Sequence, residues 1–202
     1  MSGLPILVEG SALTVLVVGG GAVAVRKAAA FAGAGATIRV VAREMSAEMR
    51  ALAQSDRVTL EERAYTAADI GDSMLVIAAT DDRSVNAAIA AKARAARRLV
   101  NVADAPDEGS FATMATHRAG SLVIGVSAGG VPGAAARVRD AIAARFDHRY
   151  AGALSDLVTL RRSLLAQGQG ARWRSLSSEV IDARFCDAVE DGELDERVAS
   201  WR

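Results

Sequence analysis

Short, dense apolar runs alternate with alanine-rich, helically spaced stretches through the first half of the chain. The runs at residues 13–18 (LTVLVV), 36–42 (ATIRVVA), 74–78 (MLVIA) and 99–102 (LVNV) read as strands. MLVIA is apolar throughout, the pattern of a parallel strand buried on both faces. A short alternating piece at 58–61 predicts one more strand. Helices are expected directly after the glycines at 19–21, over about 46–54, and from Asp81 or Asp82 through about Ala96. Ser46 is placed to cap the second of these, whose inner face would hold Met49, Leu52 and Ala53. Strands and helices alternating at this spacing predict a parallel sheet with right-handed crossovers, ending near residue 109.

Beyond that point the pattern changes. Strand-like pieces at 110–116 and 121–127 follow one another across a turn at 117–120, which predicts an antiparallel pair. A helix over about 132–146 follows, with Pro132 suited to its first position. Residues 150–202 read as two or three helices joined near 168–170 and Gly192. Residues 119–136 carry no charge, yet Gly, Ser and Pro interrupt them throughout. They are expected to be a strand, a loop and a helix start rather than a membrane span.

Composition narrows the class. Half of the 202 residues are hydrophobic (51%) but only 4% are aromatic, so the core is expected to be aliphatic. The 24 basic and 24 acidic residues cancel, which argues against a nucleic-acid partner. Cys186 is the only cysteine and reads as a helix-face residue; no intrachain disulfide can form, as suits a reducing cytoplasm. No basic run precedes an apolar core near the start, so no signal peptide is expected.

The chemistry begins at LTVLVVGGGAVAVRKAAAFAGAG, residues 13–35, where a strand breaks at three glycines and a helical pattern starts at once. In dinucleotide-binding sheets, Gly19 would permit the tight turn and Gly21 the close approach of a pyrophosphate. Ala24 stands at the third glycine of G-x-G-x-x-G/A, where helix and strand pack. The helix start would aim free N–H groups and its positive dipole end at the phosphates. The cofactor candidates here are Gly19, Gly20, Gly21, Ala22 and Val23; a tight turn without a ligand is the plainer alternative.

Further motifs follow in order: GGGAVAVRKA at 19–28, AATDDRSVN at 78–86, NVADAP at 101–106, SF at 110–111 and VSAGG at 126–130. With the opening LPILVEG at 4–10, they resemble the precorrin-2 dehydrogenase/sirohydrochlorin ferrochelatase family, the module also found at the N-terminus of multifunctional siroheme synthases. The resemblance covers roughly residues 4–148. No counterpart of the fused enzymes' methyltransferase domain is present, so a stand-alone form is expected.

That resemblance implies NAD-dependent oxidation of precorrin-2 to sirohydrochlorin by a cytoplasmic homodimer, with ferrous-iron insertion in some members. It implies an α/β fold: a Rossmann-type NAD-binding domain (1–109), a small α+β dimerisation and substrate module (110–148) and a C-terminal helical domain (149–202). Asp104, in NVADAP, matches the family's catalytic aspartate and would take a proton as hydride leaves. Asp before Ala-Pro is also an ordinary turn former. Thr80 and Asp81 would lie beside the cofactor, with Asp81 or Asp82 also capping a helix. Asn101 and Val102 would line the nicotinamide side through backbone groups. Ser127, Gly129, Arg137 and His117 are the substrate candidates, His117 as a residue at a strand end or turn. His148, Arg139 and Arg145 read as ordinary surface groups, and no metal-ligand set is expected.

Two departures stand out. The usual acid at the end of the second strand is missing: Ala42 and Arg43 stand there, with Glu44 just after. Arg43 would suit a 2′-phosphate, although the resemblance favours NAD. Met114 replaces a proline common in the family, and Ala128 and Pro132 replace serines, which thins the hydroxyls that chelation would use. The alternatives are a sirohydrochlorin chelatase with a vestigial nucleotide site and a non-enzymatic NAD(H)-sensing module.

Overall fold

A computed structural model describes residues 3–201. Residues 1, 2 and 202, the outer limits of the expected first and last domains, lie outside the described residues. The chain divides into one unit through Thr113 and a second from Met114.

The first unit is a parallel sheet of β1 (Thr14–Val18), β2 (Thr37–Ala42), β3 (Val58–Glu62), β4 (Leu75–Ala78) and β5 (Leu99–Val102), in the order β3-β2-β1-β4-β5. Its helices are α1 (Ala22–Gly33), α2 (Ala47–Leu52) and α3 (Arg83–Ala95). Side chains alternate across the pleat. Val15, Val17, Ile38, Val40, Leu75 and Ile77 pack with Ala24, Ala28 and Met49 on one face. Leu16, Val18, Val41, Val76, Ala78, Val100 and Val102 pack with Ile89, Ala90 and Ala93 on the other. The small alanines on α1 and α3 bring the helices close to the sheet, which is why so few aromatics suffice. Ser46 caps α2 by accepting from the Met49 N–H, as expected, and Met49 is fully buried. Asp82, rather than Asp81, caps α3 by accepting from Ser84 and Val85.

Three short 3-10 helices, Gly10–Ala12, Ala67–Ile70 and Pro106–Glu108, were not foreseen, because one turn leaves no periodicity to read. The second of these is held by Asp69, which is nearly fully buried. Its carboxylate accepts from the Arg63 guanidinium (2.6 Å) and from the Thr66 N–H (2.6 Å) and hydroxyl. Those bonds, led by Arg63, hold the Asp69 carboxyl far below the usual carboxylate range. A depressed folded-state value contributes stability that is present above the unfolded pKa of about 4 and is lost as pH falls through the folded value. Unfolding titrations should therefore show wild-type stability dropping below about pH 4. The Asp69→Asn protein should lack that part of the slope.

The β5 edge is occupied. The Ser110 N–H donates to the Val100 carbonyl (2.7 Å), and the Val100 N–H donates back to the Ser110 hydroxyl (2.9 Å). Phe111 packs edge-on against Phe31. Residues 110–114 therefore do not form the expected strand, since their first polar groups are already committed to β5.

The second unit pairs β6 (Ala115–Ala119) antiparallel with β7 (Leu122–Val126). The turn is tighter and later than expected. Gly120, at φ 59°, supplies the left-handed residue that lets Ala119 face Leu122 directly. His117 consequently lies in the middle of β6, opposite Ile124, and not in a turn. Helix α4 (Pro132–Arg145) starts at Pro132 as expected. Among the described residues, four helices follow rather than two or three: α5 (His148–Ala166), α6 (Gly170–Val180), α7 (Phe185–Asp191) and α8 (Glu193–Ser200). The unforeseen break is at residues 181–184, which contain no Gly or Pro. The expected breaks at Gly168 and Gly192 both carry positive φ. Tyr150, Leu157, Leu160, Leu164, Leu194 and Val198 form this unit's core. Cys186 lies on α7, half-buried against that core.

Candidate functional site

Parallel pairing continues one residue past three strands. The Gly19 N–H donates to Val41, Ala79 to Val18, and Ala103 to Ala78. The loops after β1, β4 and β5 therefore leave the sheet from one edge, at the carboxyl ends of the strands. The strand order reverses between β1 and β4, so a crevice opens at that edge where α/β sheets hold ligands.

The three glycines divide the work. Gly19 has φ 129°, and a Cβ there would lie 2.2 Å from the Ala79 carbonyl oxygen. A Cβ on Gly20 would lie 2.0 Å from the Glu44 carbonyl oxygen. These two positions let the neighbouring loops close on the turn. Gly21 has an ordinary φ of −87° and nothing within 4 Å of the Cβ position. It leaves an open cradle at the start of α1. Among the described residues no side chain caps that helix start, where Ala22 and Val23 are exposed and Ala24 is fully buried against the sheet. Free amides, a positive helix end and unfilled space fit a pyrophosphate.

The loop after β4 is clamped by a residue that sequence reasoning missed. Asn86, fully buried on α3, accepts from the Thr80 N–H (3.0 Å) and hydroxyl (2.8 Å) through Oδ1 and donates to the Thr80 carbonyl (3.1 Å). It closes the motif AATDDRSVN, so the signal was in view but was read only as helix. Replacing Asn86 by Leu should leave the half-buried Thr80 amide and carbonyl without their partner, costing about 1–3 kcal/mol. Thermal melts should show Tm lower by several degrees. Asp81 is exposed beside this loop, while Asp82 is taken up by capping.

Asp104 follows β5 by two residues, with its side chain 37% exposed. Arg83, at the start of α3, places its Nε 3.9 Å from the Asp104 Oδ2 and pairs with Glu108 as well. Arg83 was also passed over in the sequence. Asn101 is buried, donates from Nδ2 to the Phe111 carbonyl (3.0 Å), and its Oδ1 has no partner among the described residues. The Val102 side chain packs in the core. Arg43 follows β2 directly, exposed, with no ion pair or hydrogen bond of its own among the described residues.

The remaining candidates lie in the second unit. Ser127 and Gly129 are in the exposed loop between β7 and α4, where Gly129 (φ 56°) and Gly130 (φ 89°) have open space at their Cβ positions. Arg137 is exposed on α4 without an ion partner among the described residues, whereas Arg139 pairs with Asp140 and Arg145 with Glu190. The His117 Nε2 donates to the Phe146 carbonyl at the end of α4, which ties the ring to the fold. His148 is the first residue of α5 and almost fully exposed. Among the described residues, no helix is long and apolar enough to cross a membrane.

A parallel sheet with a glycine cradle at its switch point defines a dinucleotide-binding α/β protein. Residues 6–115 match the family described as "Putative NAD(P)-binding", and the chain belongs to that family. It is 36% identical to a siroheme synthase of Ectopseudomonas mendocina over 209 aligned positions, covering 98% of this chain and 45% of that protein. A siroheme synthase of Pseudomonas putida (strain W619) is 39% identical over 197 positions, covering 88% of this chain and 42% of that protein. The chain thus spans less than half the length of these curated relatives. A solved structure of SirC, a precorrin-2 dehydrogenase, shares the fold with a TM-score of 0.79 at 24% identity, covering 98% of this chain and 99% of that one.

Proposed function

We propose that this protein is an NAD-dependent precorrin-2 dehydrogenase, forming sirohydrochlorin on the way to sirohaem, and that it works as a cytoplasmic homodimer. The observation that carries this reading is the placement of the Gly21 cradle and Asp104 on one sheet edge. They stand in the loops after β1 and β5, with Thr80 between them in the loop after β4. Likeness to siroheme synthases over nearly the whole chain supports the substrate class.

Gly19, Gly20, Gly21, Ala22 and Val23 would hold the pyrophosphate. Thr80, Asp81 and the backbone of Asn101 and Val102 would border the nicotinamide. When bound, the dinucleotide supplies a hydride acceptor. Oxidising precorrin-2 removes one hydride and one proton, and the partly exposed Asp104 carboxylate is the base for the proton. Arg83 lies beside that carboxylate, with its Nε 3.9 Å from the Asp104 Oδ2. Ser127, Gly129, Arg137 and His117 are assigned to the macrocycle and its carboxylates. Residues 110–148 are assigned to dimerisation and substrate binding, and residues 149–202 to a helical domain.

The test incubates purified protein with enzymatically generated precorrin-2 and NAD and follows the macrocycle spectrum. Conversion to sirohydrochlorin with equal NADH formation is expected; no conversion sinks the reading. Nucleotide binding without conversion would favour a sensing module. Metal insertion into supplied sirohydrochlorin without dehydrogenation would favour a chelatase. Sedimentation of the same sample at about twice the chain mass is the expected result for the dimer.

A further inference from the structure

The loop after β5 is strapped along α3 at two points. Arg94, in the last turn of α3, donates to the Glu108 carbonyl, and Arg83, its first residue, donates to the Glu108 carboxylate. The 3-10 helix at Pro106–Glu108 closes through the Glu108 N–H on the Ala105 carbonyl (3.0 Å) and the Gly109 N–H on the Pro106 carbonyl (3.0 Å). Asp104 leads into this turn. Its side chain makes no hydrogen bond among the described residues, and Arg83 is its one ion-pair partner there. The Arg83 Nε stands 3.9 Å from the Asp104 Oδ2, too far for a hydrogen bond but close enough for charge to act. Both carboxylate oxygens of Asp104 therefore keep their lone pairs for an incoming proton. The Arg83 guanidinium is shared: its Nη2 is engaged by Glu108 while its Nε faces Asp104. All three side chains are partly exposed, so these ion pairs add little to stability.

We infer that Arg83 is a positioning residue for the proton transfer. Held by Glu108, it orients the Asp104 carboxylate by charge and leaves both of its oxygens free. This rests on the reading of Asp104 as the base. Without Arg83 the carboxylate has no charged neighbour to favour one rotamer, and small misplacements of a reacting group are costly. Without Glu108 the guanidinium is released to close on Asp104 and to donate to an oxygen that must take the proton. Either loss acts on the chemical step rather than on binding. The influence of Glu108 passes through Arg83, so the two substitutions should not add.

The experiment measures precorrin-2 oxidation by the wild type, Arg83→Gln, Arg83→Lys, Glu108→Gln and the Gln–Gln double variant. For Arg83→Gln, kcat should fall roughly 5- to 50-fold. KM for precorrin-2 and the dissociation constant for NADH should stay within about twofold. The solvent deuterium isotope effect on kcat should rise, because the proton step becomes slower. Arg83→Lys should regain part of the turnover. Glu108→Gln should lower kcat by less, and the double variant should be no slower than Arg83→Gln. Hydrogen exchange of the ligand-free proteins gives a readout without turnover: the Glu108 and Gly109 amides should exchange faster in Arg83→Gln. An unchanged kcat overturns the inference, as does unchanged exchange at both amides. A raised KM at wild-type kcat also overturns it, since Arg83 would then bind a macrocycle carboxylate instead. If the wild type itself does not oxidise precorrin-2, the reading of Asp104 as the base falls and takes the inference with it.

Discussion

Gly21→Asp is expected to abolish nucleotide binding while leaving the protein folded. The two outcomes separate because the structure gives the three adjacent glycines different neighbours. Gly21 has an ordinary φ and open space around its Cβ position, so a Cβ is accommodated there without strain. As the residue just before α1, an aspartate would even supply the missing cap, which is generally stabilising. The same carboxylate would occupy the cradle and set a negative charge against the pyrophosphate, so NADH affinity should fall by at least about hundredfold. Melting temperature should hold or rise slightly. Gly19→Ala and Gly20→Ala reverse the pattern, since each puts a methyl about 2 Å from a carbonyl oxygen and Gly19 also needs a positive φ. Both should lower Tm sharply. If Gly21→Asp still binds NADH as the wild type does, the cradle is only a tight turn.

Asp104→Asn is expected to lower precorrin-2 turnover by roughly 10²–10⁴-fold, the range of a lost general base, with nucleotide affinity unchanged. Asparagine matches the shape and can keep turn-forming hydrogen bonds, but it cannot accept the proton. The half-exposed setting of Asp104 means the substitution leaves no buried group without a partner, so Tm should move little. A variant with normal turnover would make Asp104 a turn residue, serving the Ala-Pro step that begins the 3-10 helix at Pro106–Glu108.

The sheet was legible in the sequence because its signals are local. Uninterrupted apolar runs such as LVIA have one sensible home, and the glycines mark where a strand must turn into a helix. Ser46 was readable as a cap from its place before a helical pattern, and the cap of α3 was narrowed to Asp81 or Asp82. Other features depend on partners distant in sequence. Nothing local shows that Ser110 is bonded to Val100, and so residues 110–114 looked like a strand. The contact of His117 with the Phe146 carbonyl was out of view for the same reason, since that carbonyl is far along the chain. Asn86 and Arg83 lay inside a recognised motif, yet their roles emerge only when α3 is laid beside the loops after β4 and β5. The break between α6 and α7 carries no Gly or Pro, and the chain gave no warning of it.

The bond pair between Ser110 and Val100 bears on how the protein behaves when crowded with copies of itself. An outer strand with free amides and carbonyls is a template on which another chain can add a strand. At β5 that template is blocked at Val100 by Ser110 and by the Phe111 N–H, which donates to the same carbonyl. The opposite border, β3, is guarded differently, by Glu61 and Glu62 with Arg63 and Arg50 held against them. One border is closed by hydrogen bonding and the other by charge, so the parallel sheet resists growing into an aggregate from either side.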